Sequence, residues 1–524
     1  MLPVVLGHYS LVCIELLKTY FGEVVKQVGS YLIRRGHRPL FEIPNATNLS
    51  IKEVKKALAV LIQHNLVKFE ASERNNNIAE YSIIPHNVYC LLRYPKYLFM
   101  TKRLYGNSEE MLLEVLMNLG KASASNVIFQ SAQRLKEANG ATDSCDDPSA
   151  LHKGFLNLAQ NQYIIRCPKL VENSDKLKVP TLIVEEKEQF TVPHLELGPI
   201  AMKLRENAAQ LGDFSDSQII WRVNNDRFDV EMRNVTLVNA AARRVDATAG
   251  ELYHLLLKLW RDCTQPDSPV TGILTVNQIK DAVRRSDGSS PSLLEHFDQY
   301  LKVLYEDSSC LVFKTGDAGG GQFVLNYSKV FEKLACATLD SMVLEKFGSK
   351  ALRLFRLTHM QQFIEQDQMQ SLSMIPAKES KMFTYKLLEH NFLQLKELKK
   401  GTSNLAPVKS FNLFHVDLPQ VVRTALEISY QGLYNAMLRQ EHELADNKRV
   451  LEKQARVDTL LENCKGDGIS SEEDLAYIAD LMTSAEKAMI VKFNTMSDNL
   501  FLAQSQVDQT ILILESYLKF LVAK

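Results

Sequence analysis

The chain has 524 residues, too many for one hydrophobic core; a length of this order predicts about three to four domains. Its 46% hydrophobic and 23% charged content is ordinary for a globular protein. The formal net charge of −1 excludes a strongly basic field over the whole molecule, so any nucleic-acid contact must come from local patches.

The eight cysteines form no C-x-x-C pair and none stands near a His at finger spacing, which argues against structural zinc. Scattered single thiols suit a reducing compartment. The opening MLPVVLGHYS lacks a basic region and a small-residue cleavage site, so no secretory signal is expected there. No apolar run approaches the roughly 18 residues needed to span a bilayer, and no membrane contact is expected.

The first helical pattern carries Ile14, Leu17, Phe21, Val25, Val28 and Leu32; Gly22 and Gly29 interrupt it and Gly36 ends it. Ser50 caps the next helix, with Glu53 as its capping-box partner. Val54, Leu58, Leu61 and Ile62 form its buried face, and Asn65 suits a left-handed stop. VKFEASERNNNIAEYSII then alternates around an Asn-rich turn, a hairpin by composition. Helix, tight stop, strand, turn, strand is the grammar of a winged helix, and residues 1–93 spell one with an extra N-terminal helix.

A second such unit is expected over 94–172, with helices in EEMLLEVLMNLG, NVIFQSAQRLKEA and ALHKGFLNLAQNQ and a strand in YIIRC. Residues 173–216 read as a connector with short strands. The third unit, 217–330, opens with WRVNNDRFDVEM as a short hairpin running into a helix. Ser292 and Glu295 form a second capping box, and CLVFKTGDAGGGQFVLN is a hairpin. Its three glycines permit positive φ in a turn; the Walker pattern is missing and no helix follows directly. In the fourth unit, 331–417, two helices precede Pro376 at a helix start, and AKESKMFTYKLLEHN leads into the wing strands FLQLKEL and KSFNLFHV. Here LLEHNFLQL at 387–395 repeats LIQHNLVKF at 61–69, 326 positions apart.

From 418 to 524 the pattern is two long helices broken at Gly466-Asp467-Gly468, the second capped by Ser470 and Glu473. Val450, Val457 and Cys464 recur every seventh residue, while Met489, Phe493, Met496, Leu500, Ala503, Val507, Ile511, Leu514, Leu518 and Leu521 keep close to a 3–4 spacing. An antiparallel coiled-coil hairpin follows, with apolar surface to spare for docking onto something larger. The fold class expected is mainly α with small β-hairpins (α+β): four tandem extended winged-helix domains and this terminal hairpin.

The chain has no H-E-x-x-H, G-x-S-x-G, Walker or dinucleotide motif, so catalytic, cofactor and metal residues are not assigned. His64 and His390 each end a helix, where capping and packing explain them. Lys52, Lys55, Lys56 and Gln63 line the exposed side of the first candidate recognition helix. Lysines suit phosphate contact, whereas base readout favours Arg, Asn and Gln, so sequence-tolerant binding is the most this face offers. A solvated helix face explains it equally well. Lys378, Lys381 and Lys386, with Lys346, Lys350, Arg353 and Arg356 on the preceding helix, make the denser basic patch. The third unit presents Glu295 and Asp298 instead, which repel phosphate. RYPKYLFMTKRLYG, with Arg103, mixes cations and aromatics that could stack single-stranded bases, although packing accounts for most of them.

Together KKALAVLIQHNLV, RYPKYLFMTKRLYG, GDAGGGQFVLN, ATLDSMVLEKFGSKALRLFRL, MIPAKESKMFTYKLLEHNF, NKRVLEKQARVD and DQTILILESYLKF carry a resemblance over nearly the whole chain. It resembles the family of the largest subunit of the RNA polymerase III initiation heterotrimer, related to the alpha subunit of general transcription factor IIE. The resemblance implies four extended winged helices, a coiled coil, a nuclear location and no catalytic residue. It implies two smaller partner subunits, one with winged helices and one with an acidic tail. It further implies a seat on the polymerase III core at the clamp, contact with the promoter-bound initiation factor, and help in opening promoter DNA. The zinc ribbon of the factor IIE relative is absent here. A free-standing, sequence-specific winged-helix regulator is the alternative, and a cullin-like scaffold a weaker third.

Overall fold

The computed structural model describes residues 7–72, 77–139, 148–171, 179–205, 214–265, 268–285, 291–400, 409–466 and 481–522. The chain divides into two compact units, residues 1–232 and 233–524.

In the first unit the opening helical pattern is two helices, α1 (Gly7–Phe21) and α2 (Glu23–Arg35). Gly22 between them takes a φ of 85°, a conformation that costs glycine nothing and turns the chain back on itself. Gly29, expected to interrupt the helix, lies inside α2. A Cβ there would stand 2.3 Å from Leu17 Cδ1, so glycine is what lets α2 lie against α1. Then come β1 (Arg38–Pro39), α3 (Glu42–Thr47), α4 (Ile51–Gln63), β2 (Val67–Ala71) and β3 (Ala79–Ile83). The Ser50–Glu53 capping box forms as expected. β3 pairs with both β2 and β1, giving the strand order β1-β3-β2. The helix α5 (Pro85–Leu104) runs straight across the 93/94 border.

The second module repeats this plan: α6 (Asn107–Leu119), β4 (Ala122–Ser123), α7 (Ala124–Asn139), α8 (Ser149–Gln160) and β5 (Ile164–Arg166). The stretch after it holds a small hairpin, β6 (Lys169–Val171) with β7 (Thr181–Ile183), and α9 (Leu197–Arg205). Next comes β8 (Ile220–Val223), which pairs with β4 and β5. The expected hairpin at WRVNN is therefore a single strand, and it closes the second module's sheet rather than opening the third module. Its partners lie 50 to 100 residues upstream, beyond any local pattern. Residues 173–216 are thus spliced into a wing. The next helix, α10 (Asn225–Arg244), carries Asp229 into the first unit.

In the second unit come α11 (Ala247–Cys263), β9 (Leu274–Thr275), α12 (Val276–Arg285), α13 (Pro291–Glu306), β10 (Phe313–Gly316) and β11 (Gln322–Val324), with β11 again central. Ser292 lies inside the first turn of α13, one residue past its start, not at the cap. Gly319, Gly320 and Gly321 all have positive φ in the expected hairpin turn. The fourth module is α14 (Tyr327–Phe347), α15 (Ser349–Gln361), α16 (Gln366–Ser373), α17 (Ala377–Glu389), β12 (Gln394–Lys400) and β13 (Lys409–His415). Three helices precede Pro376 instead of two, and a single bridge from Ile364 to Phe414 stands in for the third strand.

The repeat noticed in nine residues extends through the backbone of the first and fourth modules. Gly22 and Gly348, Gly36 and Gln362, Asn48 and Met374, and Asn65 and Asn391 each stand 326 positions apart. Their φ angles pair as 85° and 86°, 73° and 64°, 55° and 54°, 57° and 59°. His64 packs on Phe21 at 4.9 Å and His390 on Phe347 at 5.2 Å between ring centroids, so both imidazoles serve as packing groups.

Three of the four candidate recognition helices stop the same way. Leu66 N–H donates to Leu61 O, Tyr163 N–H to Leu158 O, and Phe392 N–H to Leu387 O. Asn65, Gln162 and Asn391 supply the left-handed residue each stop needs. The paired apolar residues across each stop are buried. Gln162 has no conformational liking for that position. Gln162→Gly is expected to stabilise the fold by about 1 kcal/mol, seen as a higher urea midpoint at unchanged slope.

The terminal helices are α18 (Leu418–Gly466) and α19 (Ser484–Val522), packed on each other as a hairpin. The expected Ser470–Glu473 cap lies outside the described residues. A capping box that the sequence reading missed stands at Thr483, whose hydroxyl accepts from Glu486 N–H while Glu486 accepts from Thr483 N–H at 2.9 Å. Among the described residues, no helix is long and apolar enough to cross a membrane.

Candidate nucleic-acid and partner surfaces

The helices α4, α8, α13 and α17 occupy the position that enters the major groove in DNA-reading winged helices. On α4, Lys52, Lys55 and Lys56 all point to solvent, with no ion pair among the described residues. Gln63, expected on the same face, is otherwise engaged. Its amide donates to Leu119 O at 2.9 Å and Lys121 O at 2.6 Å. Lys121 in turn donates to Ile62 O at 2.7 Å, placing a cation on the negative end of α4. Gly120 sits at this junction with φ 74°, and a Cβ there would lie 2.7 Å from Gln63 O. The C-terminal end of α4 is therefore docked on the turn after α6, and only its N-terminal half is free. Burial, reinforced by Lys121, lowers the His64 pKa and favours the neutral imidazole.

The basic patch of the fourth module is smaller than the sequence count. Lys350 pairs with Glu379, and Arg356 Nε with Asp340 Oδ2 at 2.8 Å. Arg353 Nη1 donates to Ser373 O at 3.2 Å, tying α15 to the end of α16. Both acids are remote in sequence, which is why spacing along one helix did not reveal them. Lys378 and Lys381 remain exposed on α17 without an ion pair among the described residues, beside the exposed Met382 and Tyr385. Lys346 is exposed and leans over Phe347. On the acidic third-module helix, Asp298 pairs with Lys280 at 2.9 Å.

The aromatic and cationic segment on α5 is mostly interior. Tyr97 stacks on Phe228 at 4.4 Å, and Arg93 is buried against Asp229. Phe99, 66% exposed, faces outward with Arg103 and Lys102, and Lys102 is paired with Glu110 at 2.9 Å.

In the hairpin, Val457 packs with Met482 and Ile490, with Val450 beside them. Leu514 is buried, and Phe493, Leu500, Val507 and Leu518 are half-buried. Met489 is exposed: the seam passes through Ile490, one residue on. Gln504 and Asp508 are also buried in the seam, and Gln504 donates to Gln440 Oε1 at 3.1 Å. Met489, Val491, Phe501 and Leu502 are exposed apolar side chains of α19.

Three modules with the last strand central in a three-stranded sheet, and a fourth with a two-stranded wing and one bridge, define a protein of the winged-helix class. The comparisons place it further. Residues 153–334 match the family described as RNA polymerase III subunit RPC82, and 11–72 its helix-turn-helix domain. Residues 339–416 match the POLR3C C-terminal winged-helix domain, and 449–513 the RPC3 helical hairpin domain. DNA-directed RNA polymerase III subunit RPC3 of Homo sapiens is 35% identical over 97% of each chain. That of Danio rerio is 31% identical over 97% of each, and that of Dictyostelium discoideum 20% identical over 85% of this chain and 93% of its own. The chain belongs to the RPC3/RPC82 family of RNA polymerase III subunits.

Proposed function

We propose that the chain is a non-catalytic, architectural subunit of nuclear RNA polymerase III that steers promoter DNA during initiation. It works as the largest member of a heterotrimer with a second winged-helix subunit and a small acidic-tailed subunit. That trimer sits at the clamp, meets the promoter-bound initiation factor and helps separate the strands at tRNA, 5S and other small RNA genes. Family membership supports the polymerase assignment. The observation that carries the DNA role is the set of exposed lysines on α4 and α17, Lys52, Lys55, Lys56, Lys378 and Lys381, on two helices that themselves contain no Arg or Asn to read a base. Point charges of this kind hold phosphate, in duplex or single strand, with little sequence preference. The exposed apolar side chains of α19 and the outer side of the hairpin receive protein partners.

Lys378→Glu with Lys381→Glu tests this reading without touching Arg353, which has a structural task. Losing each phosphate contact should flatten the logarithmic salt slope of DNA binding by about one unit. Transcription from closed promoters should fall while pre-melted templates are spared, with the assembled enzyme intact. Equal output from both templates would overturn the DNA role.

A further inference from the structure

We propose that His86, Cys90 and Asp229, with Asp226 at the mouth, form a binding site for a divalent ion of the zinc class. His86 and Cys90 stand one helical turn apart on α5, and Asp226 and Asp229 three residues apart on α10, so each pair shares a helix face. The two faces meet. His86 Nε2 lies 3.1 Å from Asp229 Oδ2, 3.7 Å from Cys90 Sγ and 4.0 Å from Asp226 Oδ1. The imidazole, thiol and Asp229 carboxylate donor atoms all lie within 4.8 Å of one another. Zinc bonds of about 2.0–2.3 Å in a tetrahedron set donor separations of about 3.3–3.7 Å. Two edges already approach that, and the Cys90–Asp229 edge closes with a shift of at most about 1 Å.

The surroundings orient the donors as a metal's outer shell does. Asp229 Oδ1 accepts from Arg93 Nη1 at 3.0 Å and from the Tyr97 hydroxyl at 2.9 Å, which leaves Oδ2 turned toward the imidazole. Cys90 is fully buried, whereas His86 is half-exposed and Asp226 is 91% exposed, so an ion has an entry path and a candidate fourth ligand. Asp229 brings a carboxylate to the space between the donors. An ion bound there needs the neutral imidazole and the Cys90 thiolate, so binding releases the thiol proton, and any proton the imidazole holds at that nitrogen, to solvent. Sulfur, nitrogen and oxygen together select a borderline ion over magnesium or calcium. The His86–Cys90 pair has a ligand spacing that the sequence reading passed over, and its acidic partners lie some 140 residues further on.

Cobalt(II) titration of the metal-stripped full chain tests the proposal. A near-ultraviolet thiolate-to-cobalt band and tetrahedral visible bands are expected, displaced by zinc. Cys90→Ser should abolish the thiolate band, and Asp226→Asn, on the surface, should weaken binding about tenfold. Zinc should raise the melting temperature of the native chain but not of His86→Gln. Absence of the band, or its survival unchanged in Cys90→Ser, would overturn the site. The His86→Gln and Asp226→Asn readouts decide the matter should Cys90→Ser fold poorly.

Discussion

Arg93→Ala is expected to destabilise the first unit by about 3–5 kcal/mol, toward the lower end of that range. The guanidinium is 1% exposed, 3.0 Å from Asp229 Oδ1, and stacked over Tyr89 at 4.9 Å. Burial alone would raise the Asp229 pKa; the Arg93 charge and the His86 hydrogen bond outweigh it and hold the carboxyl at about 2. Truncating the arginine leaves a buried carboxylate short of its main counter-charge, and that penalty exceeds the net worth of the pair itself. His86 and Tyr97 remain, which places the cost low in the range. A double-mutant cycle with Asp229→Asn isolates the coupling. The double variant should lose clearly less than the two single losses together, read from urea unfolding of the first unit. Additivity within about 0.5 kcal/mol would mean that the pair contributes nothing beyond its packing.

The same pair shows where sequence reading stops. Many signals that act within five residues were legible: the Ser50–Glu53 cap, the left-handed stop at Asn65, the glycine turn at 319–321. The fold class followed from them, because each module is a string of such local decisions. Two local caps still went wrong, since Ser292 lies inside α13 and the Thr483–Glu486 box was missed; most of the rest that failed needed partners from elsewhere in the chain. Gly29 reads as a break but lies inside α2, and only its close approach to Leu17 on α1 reveals its role. The strand at Ile220–Val223 is assigned by β4 and β5, both far upstream. Lys350 and Arg356 looked free until Glu379 and Asp340 arrived from neighbouring helices. In α19 the step from Met489 to Ile490 is one residue, 100° around the helix. A 3–4 spacing fixes the existence of a seam better than its phase.

Phe520→Ala is expected to cost about 3–5 kcal/mol and to loosen the base of the terminal hairpin specifically. Phe520 is fully buried and stacks on Tyr327 at 5.1 Å and Phe331 at 5.9 Å, both on α14. Arg233 lies over the Tyr327 and Phe520 rings at 4.3 and 5.3 Å, adding a desolvated cation to the stack. One side chain thus fastens the end of α19 to the helix that begins the fourth module. The far half of the hairpin depends instead on the small cluster around Val457, Met482 and Ile490, with the Lys453–Glu486 pair beside it. Hydrogen exchange separates the two. In Phe520→Ala, amides of residues 505–522 and of the first turns of α14 should lose protection, while those of α4 and its wing keep theirs. Uniform loss over the whole chain would instead make the stack part of one global core. If loosening is local, the variant also becomes a tool: a polymerase subunit whose first winged helix remains folded while the base of its terminal helical hairpin is set adrift.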